Sequence, residues 1–306
     1  MEASPKTIRA AYVAWLVVCV VWGTTYLGIR VALEGIPPAL IGGLRYTAAG
    51  LLLALALVAR GERLPARANW GGLLLLGFLM IVLGNGGVIW AEQVVPSGIA
   101  AVIVATSPFW TNGMEALLPG GERVTARAVA GLCIGFGGIL LLVWPELMAG
   151  GTHGRRFLFG VLAIQLAAIG WSAGSIYSRR HAREENAIAA SALQMIFGGL
   201  LMLGIATVRG EWDDIALTPR ALWAEIYLVV FGSVVGYSAY VYALKYLPVS
   251  TVSLYAYVNP IIAVVVGTWF AAEPFGWRVV AAGGLVLGGI AVVRTRSERI
   301  KAGNSD

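Results

Sequence analysis

Apolar residues along this chain form long continuous runs, cut at short intervals by charges and prolines. Cutting there leaves runs at roughly 11–28, 38–59, 71–91, 97–118, 125–144, 158–178, 188–208, 220–243, 248–271 and 275–293. A bilayer core about 30 Å thick takes about 20 apolar helical residues to cross, so the pattern predicts ten spans. Transmembrane barrels instead use alternating segments of about ten residues, and helices are the spanning structure left. The gaps are too short to hold a soluble domain. The first run follows Lys6 and Arg9 as a signal peptide would, but its length and the nine runs behind it predict an uncleaved first helix.

Composition agrees: 58% of the residues are hydrophobic and 12% charged, against about a quarter charged in an ordinary soluble domain. Disorder, which needs low hydrophobicity and high charge, is excluded. The two cysteines, Cys19 and Cys133, lie in apolar runs and are expected to be buried filler. The net charge of +6 would raise the question of nucleic acid in a soluble protein. Here the basic residues sit in the gaps, and their bias follows the preference of cytoplasmic loops for Lys and Arg. Only Arg30, Arg155, Arg156, Arg209, Arg220 and Arg278 fall in the gaps that would face outward; Arg45 is inside a span and the other 15 of the 22 fall on the inner side. Both termini are therefore expected in the cytoplasm, with no nucleic-acid partner.

The second half of the chain repeats the first at a shift of about 150 residues. Trp22 falls on Trp171, and Arg60-Gly61-Glu62 falls on Arg209-Gly210-Glu211. With one or two residues of slippage Gly84 meets Gly236, Pro96 meets Pro248, Pro108 meets Pro260, Glu122 meets Glu273 and Gly137-Gly138 meets Gly288-Gly289. Five spans per copy is odd, so the copies must enter the membrane from opposite sides. The expected fold is an all-α membrane protein of ten transmembrane helices in two inverted five-helix repeats. Residues 1–150 form the first, and residues 151–306 the second with a basic cytoplasmic tail. Many secondary transporters share this plan, with a substrate site at the repeat interface near the midplane.

Several residues could line such a site. Pro108 and Pro260 fall near mid-depth, where a proline frees a carbonyl that must face protein or a water-filled cavity. Ser107 and Asn259 add polar atoms beside them. Each proline is either a cavity-lining break or a packing kink. Arg45, seven residues past Pro38, lies about 10 Å below the outer interface. Its burial costs about 2.5 to 3.5 kcal/mol on insertion scales, so it needs a partner, for which Glu92 at the outer end of the third span is the first choice, or it snorkels to the interface. Its counterpart under the repeat is Gln194. Trp22 and Trp171 sit away from the interfacial belts, and a cavity or a neighbouring helix must receive their indole donors. With Thr25, Asn85, Ser172, Ser175, Tyr237, Tyr240, Tyr255 and Tyr257 they outline an amphipathic, uncharged cavity. By this reading no Asp or Glu falls at mid-depth, which favours neutral or zwitterionic substrates. Gly131 to Gly135 and Gly284 to Gly288 have the small-xxx-small spacing of close helix packing, within the monomer or in a homodimer. Gly135-Phe136-Gly137-Gly138 follows no strand and is not a dinucleotide fingerprint. His153 and His181 stand alone, so no metal or other cofactor is expected, and no nucleophile–base set for an enzyme is present.

These residues resemble the EamA family of the drug/metabolite transporter superfamily. The likeness rests on the ten spans in two repeats, the opening Val21-Trp22-Gly23-Thr24-Thr25-Tyr26, Arg45 of the second span, and the two prolines each followed by a Glu at a turn. The stretch from Gly84-Asn85-Gly86 through Ala91-Glu92 to Val95-Pro96-Ser97-Gly98-Ile99-Ala100-Ala101 is similar to a bacterial subgroup that exports drugs or amino-acid metabolites. The resemblance implies a multi-pass transporter of the cytoplasmic membrane, with a small-molecule substrate and the lipid bilayer as its partners. The expected activity is alternating-access export of a small amphipathic metabolite, an amino acid or related compound. The rival readings are a multidrug cation/proton antiporter and a lipid flippase. For the topology, a reporter that is active only outside the membrane, fused after Asp306, is expected to be silent; activity there would refute the inside bias.

Overall fold

The computed structural model describes residues 5–119, 126–149, 151–181, 186–247, 252, 254–273 and 275–294. Among these residues the elements are helical throughout. A helix satisfies its own backbone polar groups where no water can. We number the helices α1 (Pro5–Ala32), α2 (Pro38–Ala59), α3 (Arg67–Ala91), α4 (Ser97–Val104), α5 (Ser107–Leu117), α6 (Ala126–Ala149), α7 (Gly151–Arg180) and α8 (Ala187–Val208). Then come α9 (Pro219–Tyr227, Leu228–Val235 and Gly236–Tyr246 in unbroken succession), α10 (Tyr255–Ala271) and α11 (Trp277–Arg294). Six of them, α1, α2, α3, α7, α8 and α9, are long and apolar enough to cross a membrane, and shorter apolar helices lie within α6, α10 and α11. Large apolar side chains such as Leu55, Trp269 and Phe270 point outward. A soluble monomer rarely carries such surface in bulk. The protein is a multi-pass membrane protein.

Three features depart from the expected elements. The 97–118 run is two helices, interrupted at Ala105 and Thr106, with Pro108 in the first turn of α5, where its missing N–H costs nothing. Pro260 instead lies inside the continuous α10, so the two prolines have different settings. The helices α6 and α7 also extend through most of the gap expected at 145–157, and α6 carries Pro145 within it. Finally, α3 and α9 each contain a π-helical stretch, Gly77–Asn85 and Leu228–Val235, at matching places in the two halves.

The two halves interlock. The largest interface joins α2 to α8, and the next joins α6 to α11. In both, small residues let backbones approach closely: a Cβ on Gly50 would meet Ala192 O at 2.6 Å, and one on Gly138 would meet Ala282 O at 2.8 Å. The expected glycine pairs contribute unequally, since Gly289 abuts Gly131 and Gly135 while Gly284 and Gly288 have open space beside them. Further, α1 lies against α9 and α10, and α7 lies against α3, α4 and α5. Cys19 is buried but Cys133 is exposed on α6, which corrects its expected burial.

The repeated Arg-Gly-Glu is a helix stop. Gly61 and Gly210 have φ of 77° and 70°, a region glycine enters without steric cost. Gly61 N donates to Val58 O and Glu62 N to Leu57 O, and Gly210 N and Glu211 N repeat this on Thr207 O and Ala206 O. That double bond pattern is the Schellman C-cap. The glutamates then serve the other half. Glu211 accepts from Ala39 N (2.9 Å) and Leu40 N (3.2 Å) at the start of α2, and Glu273 accepts from Ser97 N (2.7 Å) and Gly98 N (3.0 Å) at the start of α4. An anion at a helix N-terminus meets both unfilled donors and the positive end of the dipole. Glu62 makes only a 3.5 Å contact with Asn186, whose own side chain caps α8. Glu122 lies outside the described residues. Glu211→Gln is expected to lower stability by about 1.5 to 3 kcal/mol, the worth of buried bonds to a charge, and Glu62→Gln by no more than about 0.5 kcal/mol. Thermal unfolding of the purified protein in detergent measures both.

Candidate functional site

The polar groups between the spans form two clusters, one in each half of the helix arrangement. The first gathers α1, α2, α9 and α10. Trp22 on α1 donates its Nε1 proton to Gly232 O (3.1 Å), and Thr25, one turn on, donates to Trp22 O (2.7 Å). Arg45 on α2 is 4% exposed; its Nε donates to Ser233 Oγ (2.9 Å) and its guanidinium stands 4.8 Å from the Tyr46 ring. The bulk of these side chains is accommodated by two glycines of the α9 π stretch and its end. A Cβ on Gly232 would lie 2.9 Å from both Arg45 Nη2 and Thr25 Cγ2, and one on Gly236 would lie 2.5 Å from Trp22 Nε1. Around Trp22 stand Tyr237, Tyr240 and Tyr255, with ring centroids 6.0, 5.2 and 5.0 Å away. All four rings are half-buried. Asn259, its amide nitrogen turned inward, donates to Tyr255 O (3.1 Å) and Cys19 O (3.0 Å), tying α10 to α1 beside Pro260. The Tyr257 side chain lies outside the described residues.

The second cluster gathers α3, α5, α7 and α8. Gln194, the counterpart of Arg45, reaches Met80 Sδ (3.5 Å), and Asn85 Nδ2 donates to Met80 O (2.9 Å) within the α3 π stretch. Trp171 packs beside Gly84, mirroring Trp22 beside Gly236. Ser175 is spent on its own helix, donating to Trp171 O. At the α4–α5 break, Ser107 Oγ donates to Val104 O (2.6 Å), the carbonyl that Pro108 leaves free, and Thr106 Oγ1 donates to Ile103 O (2.7 Å). Ser172 Oγ then bridges Ser107 O and Thr111 Oγ1, while Gln165 joins Trp110 to Thr106.

Several expectations are corrected. Arg45 makes no ion pair among the described residues. The backbone carbonyl of Glu92 is held by Arg30 Nη1 at 2.6 Å, and its side chain is fully buried with neither carboxyl oxygen hydrogen-bonded. For Trp22 one of the two expected settings holds: its acceptor lies in a neighbouring helix. The carbonyls beside Pro108 are filled by hydroxyls from their own break. Most consequential, one acid that the sequence reading left to the loops is buried within a span. Glu225, inside the 220–243 run, is 6% exposed on α9, and both its carboxyl oxygens lack a hydrogen-bond partner. Glu225 makes no ion pair among the described residues. Glu225 was detectable as a charge within an apolar run; Ser233 and Gln165 carry no signal in the sequence that separates them from other polar residues.

Fold and clusters together define a polytopic helical membrane protein with polar chemistry buried between its spans. The model of the EamA-like transporter family matches residues 9–144 and again 158–295, and the chain belongs to that family. It is 34% identical to YedA of Escherichia coli strain K12, named as an uncharacterized inner membrane transporter, over 83% of this chain and 80% of that one. It is 28% identical to YvbV of Bacillus subtilis strain 168, named as an uncharacterized transporter, over 99% and 96%. A WAT1-related chloroplastic protein of Arabidopsis thaliana is 26% identical over 83% of this chain and 62% of its own length. A solved crystal structure shares the fold at a TM-score of 0.65 and 20% identity, covering 95% of this chain and 99% of its own. The crowding around the first cluster predicts opposite signs at two helical glycines. Gly236→Ala is expected to cost about 1 to 3 kcal/mol through overpacking, whereas Gly204→Ala, facing open space, should stabilise by about 0.5 to 1 kcal/mol; thermal unfolding in detergent reads both.

Proposed function

We propose that this transporter exports a small amphipathic metabolite, an amino acid or a related compound, by alternating access across the cytoplasmic membrane. Its ten spans would form two oppositely inserted five-helix repeats, with α4 and α5 sharing one span and residues 248–271 forming another. The pairing of α2 with α8 and of α6 with α11, the matching π stretches and the two matches to one family model support that reading. The basic bias of the inner gaps supports cytoplasmic termini.

The observation that carries the substrate class is the setting of Arg45. It is a buried guanidinium that donates to a neutral hydroxyl, that of Ser233, near the half-buried ring cluster of Trp22, Tyr237, Tyr240 and Tyr255. A guanidinium offers five donors in a fork that matches a carboxylate, so Arg45 suits the carboxylate of the substrate. Aromatic faces beside it suit an apolar or cationic remainder. The Gln194 cluster across the α2–α8 interface has no charge, which gives the path one polar anchor instead of two. Glu225 favours a second reading, a multidrug cation/proton antiporter whose cation meets the aromatic faces and that carboxylate.

The test is counterflow of labelled amino acids in liposomes containing the purified protein, with quaternary ammonium compounds as the rival arm. Arg45→Ala is expected to lower amino-acid flux by about tenfold or more, the equivalent of one charge-assisted bond, and Gln194→Ala by much less. Thermal unfolding of the same samples separates a site effect from misfolding. Flux retained in Arg45→Ala, or transport of the ammonium compounds alone, would overturn the reading.

A further inference from the structure

The pair α2 and α8 is built alike at both ends and is latched at one of them. Each helix has 22 residues, about 33 Å of length. They run antiparallel: Glu211, just past α8, meets the start of α2, and Glu62, just past α2, meets Asn186 at the start of α8. Their backbones touch near the middle, where a Cβ on Gly50 would meet Ala192 O at 2.6 Å and one on Gly199 would run into the Thr47 backbone. Helices in contact at the middle can part at one end only by closing at the other. At the Glu211 end the carboxylate is fully used. One oxygen accepts from Ala39 N and Leu40 N, the other pairs with Arg209 Nε at 3.3 Å, and the residue is buried. Pro37 gives α2 no side-chain cap of its own. At the spacing that lays Glu62 on Glu211, Ala39 and Leu40 fall on Ile188 and Ala189. Those two amides donate instead to Asn186 Oδ1, at 3.0 and 3.4 Å. Glu62 stays exposed, 3.5 Å from the Asn186 amide nitrogen, beside a cleft of about 460 Å³ lined by residues 61–66 and Asn186.

We propose that Glu211 and Glu62 form a reciprocal latch: α2 and α8 rock about their glycine-packed middle, and each glutamate caps the opposite helix in one state and is released in the other. This structure is the state with the Glu211 end closed and the Glu62 end open. In the other state the cleft closes, Glu62 takes the Ile188 and Ala189 amides from Asn186, and Glu211 leaves Ala39 and Leu40 to water. A carboxylate is favoured at either helix start, because it meets both unfilled donors and the positive end of the dipole. The ends are nevertheless unequal. Asn186 completes the start of α8 without Glu62, whereas the start of α2 depends on Glu211, so the state seen here is the favoured one. The inference rests on the alternating access proposed above and adds the contacts that hold one of its states. With the termini in the cytoplasm the Glu211 end is the outer one, and the path is closed outward.

The experiment is double electron–electron resonance on the full-length protein in detergent, with Cys19 and Cys133 replaced by Ala and spin labels on cysteines at one of two pairs of exposed positions. Arg63 with Ala187 reports the Glu62 end, and Glu34 with Asp213 reports the Glu211 end. Labelling Glu34 removes its exposed pair with Arg220, which is worth little and is missing from every sample compared at that end. Without further change the short distance should predominate at the Glu211 end and the long one at the Glu62 end. Glu211→Gln is expected to shift the ratio of the two states about tenfold, lengthening the distance at its own end and shortening it at the other. Asn186→Ala frees the Ile188 and Ala189 amides and should shift the ratio the same way by about fivefold; adding Glu62→Gln should cancel that shift. Thermal unfolding checks each variant, and Asn186→Ala keeps the test decisive if Glu211→Gln does not fold. Ends that open or close together, a Glu62 end that stays open in every variant, or an Asn186→Ala shift that survives Glu62→Gln would each overturn the latch. If that happens while amino-acid counterflow is retained, the latch alone fails; if counterflow is absent as well, alternating access fails with it.

Discussion

Lipid offers no hydrogen bonds, so every backbone group at a helix end or break must find a partner within the protein, and this constraint organises the molecule. The second half meets it for the first. Glu211 of the second half completes the start of α2, Glu273 completes the start of α4, and Asn259 of α10 holds the Cys19 carbonyl of α1. Breaks are closed locally in the same way, as where Ser107 fills the carbonyl that Pro108 vacates. The first half, taken alone, does not satisfy all of its own helix ends, which ties its folding to the second.

The two clusters show how a duplicated framework can carry unequal chemistry. Trp22 and Trp171 keep equivalent places beside Gly236 and Gly84, so the scaffold of the pair is retained. Arg45 and Gln194 then set the halves apart: one reaches a hydroxyl on the α9 π stretch and the other a thioether on the α3 π stretch. A charge on one side only gives the interior a direction that the fold by itself lacks.

Much of this was legible from the chain because membrane segments are written in continuous runs, and a run fixes a helix without help from tertiary contacts. The repeated Arg-Gly-Glu was visible as a repeat, although its meaning as a C-cap with a glutamate reaching across the halves needed φ angles and partners. Arg45, Trp22 and Tyr237 were legible because charges and large polar rings are conspicuous inside apolar runs. Their partners were not, since Ser233 and the Gly232 carbonyl are ordinary groups made important only by helix placement. Glu225 was conspicuous by the same rule as Arg45, and its position near the start of its run hid it among interfacial residues. The π stretches left no trace in composition, because an α-turn and a π-turn are built from the same apolar residues.

Those stretches have one more consequence. A π turn holds more residues than an α turn, so α3 and α9 each contain a surplus that the regular ladder would not accept. Removing one residue from Gly77–Asn85 would let the ladder close in α register with the turns on either side still nearly in phase, whereas the same deletion in a regular α turn would rotate everything beyond it by about 100° about the helix axis. Glu92 would keep its face in the first case and leave it in the second, although it had not been altered. In these two spans tolerance of a deletion should therefore depend on its position, and be greatest within the π stretches.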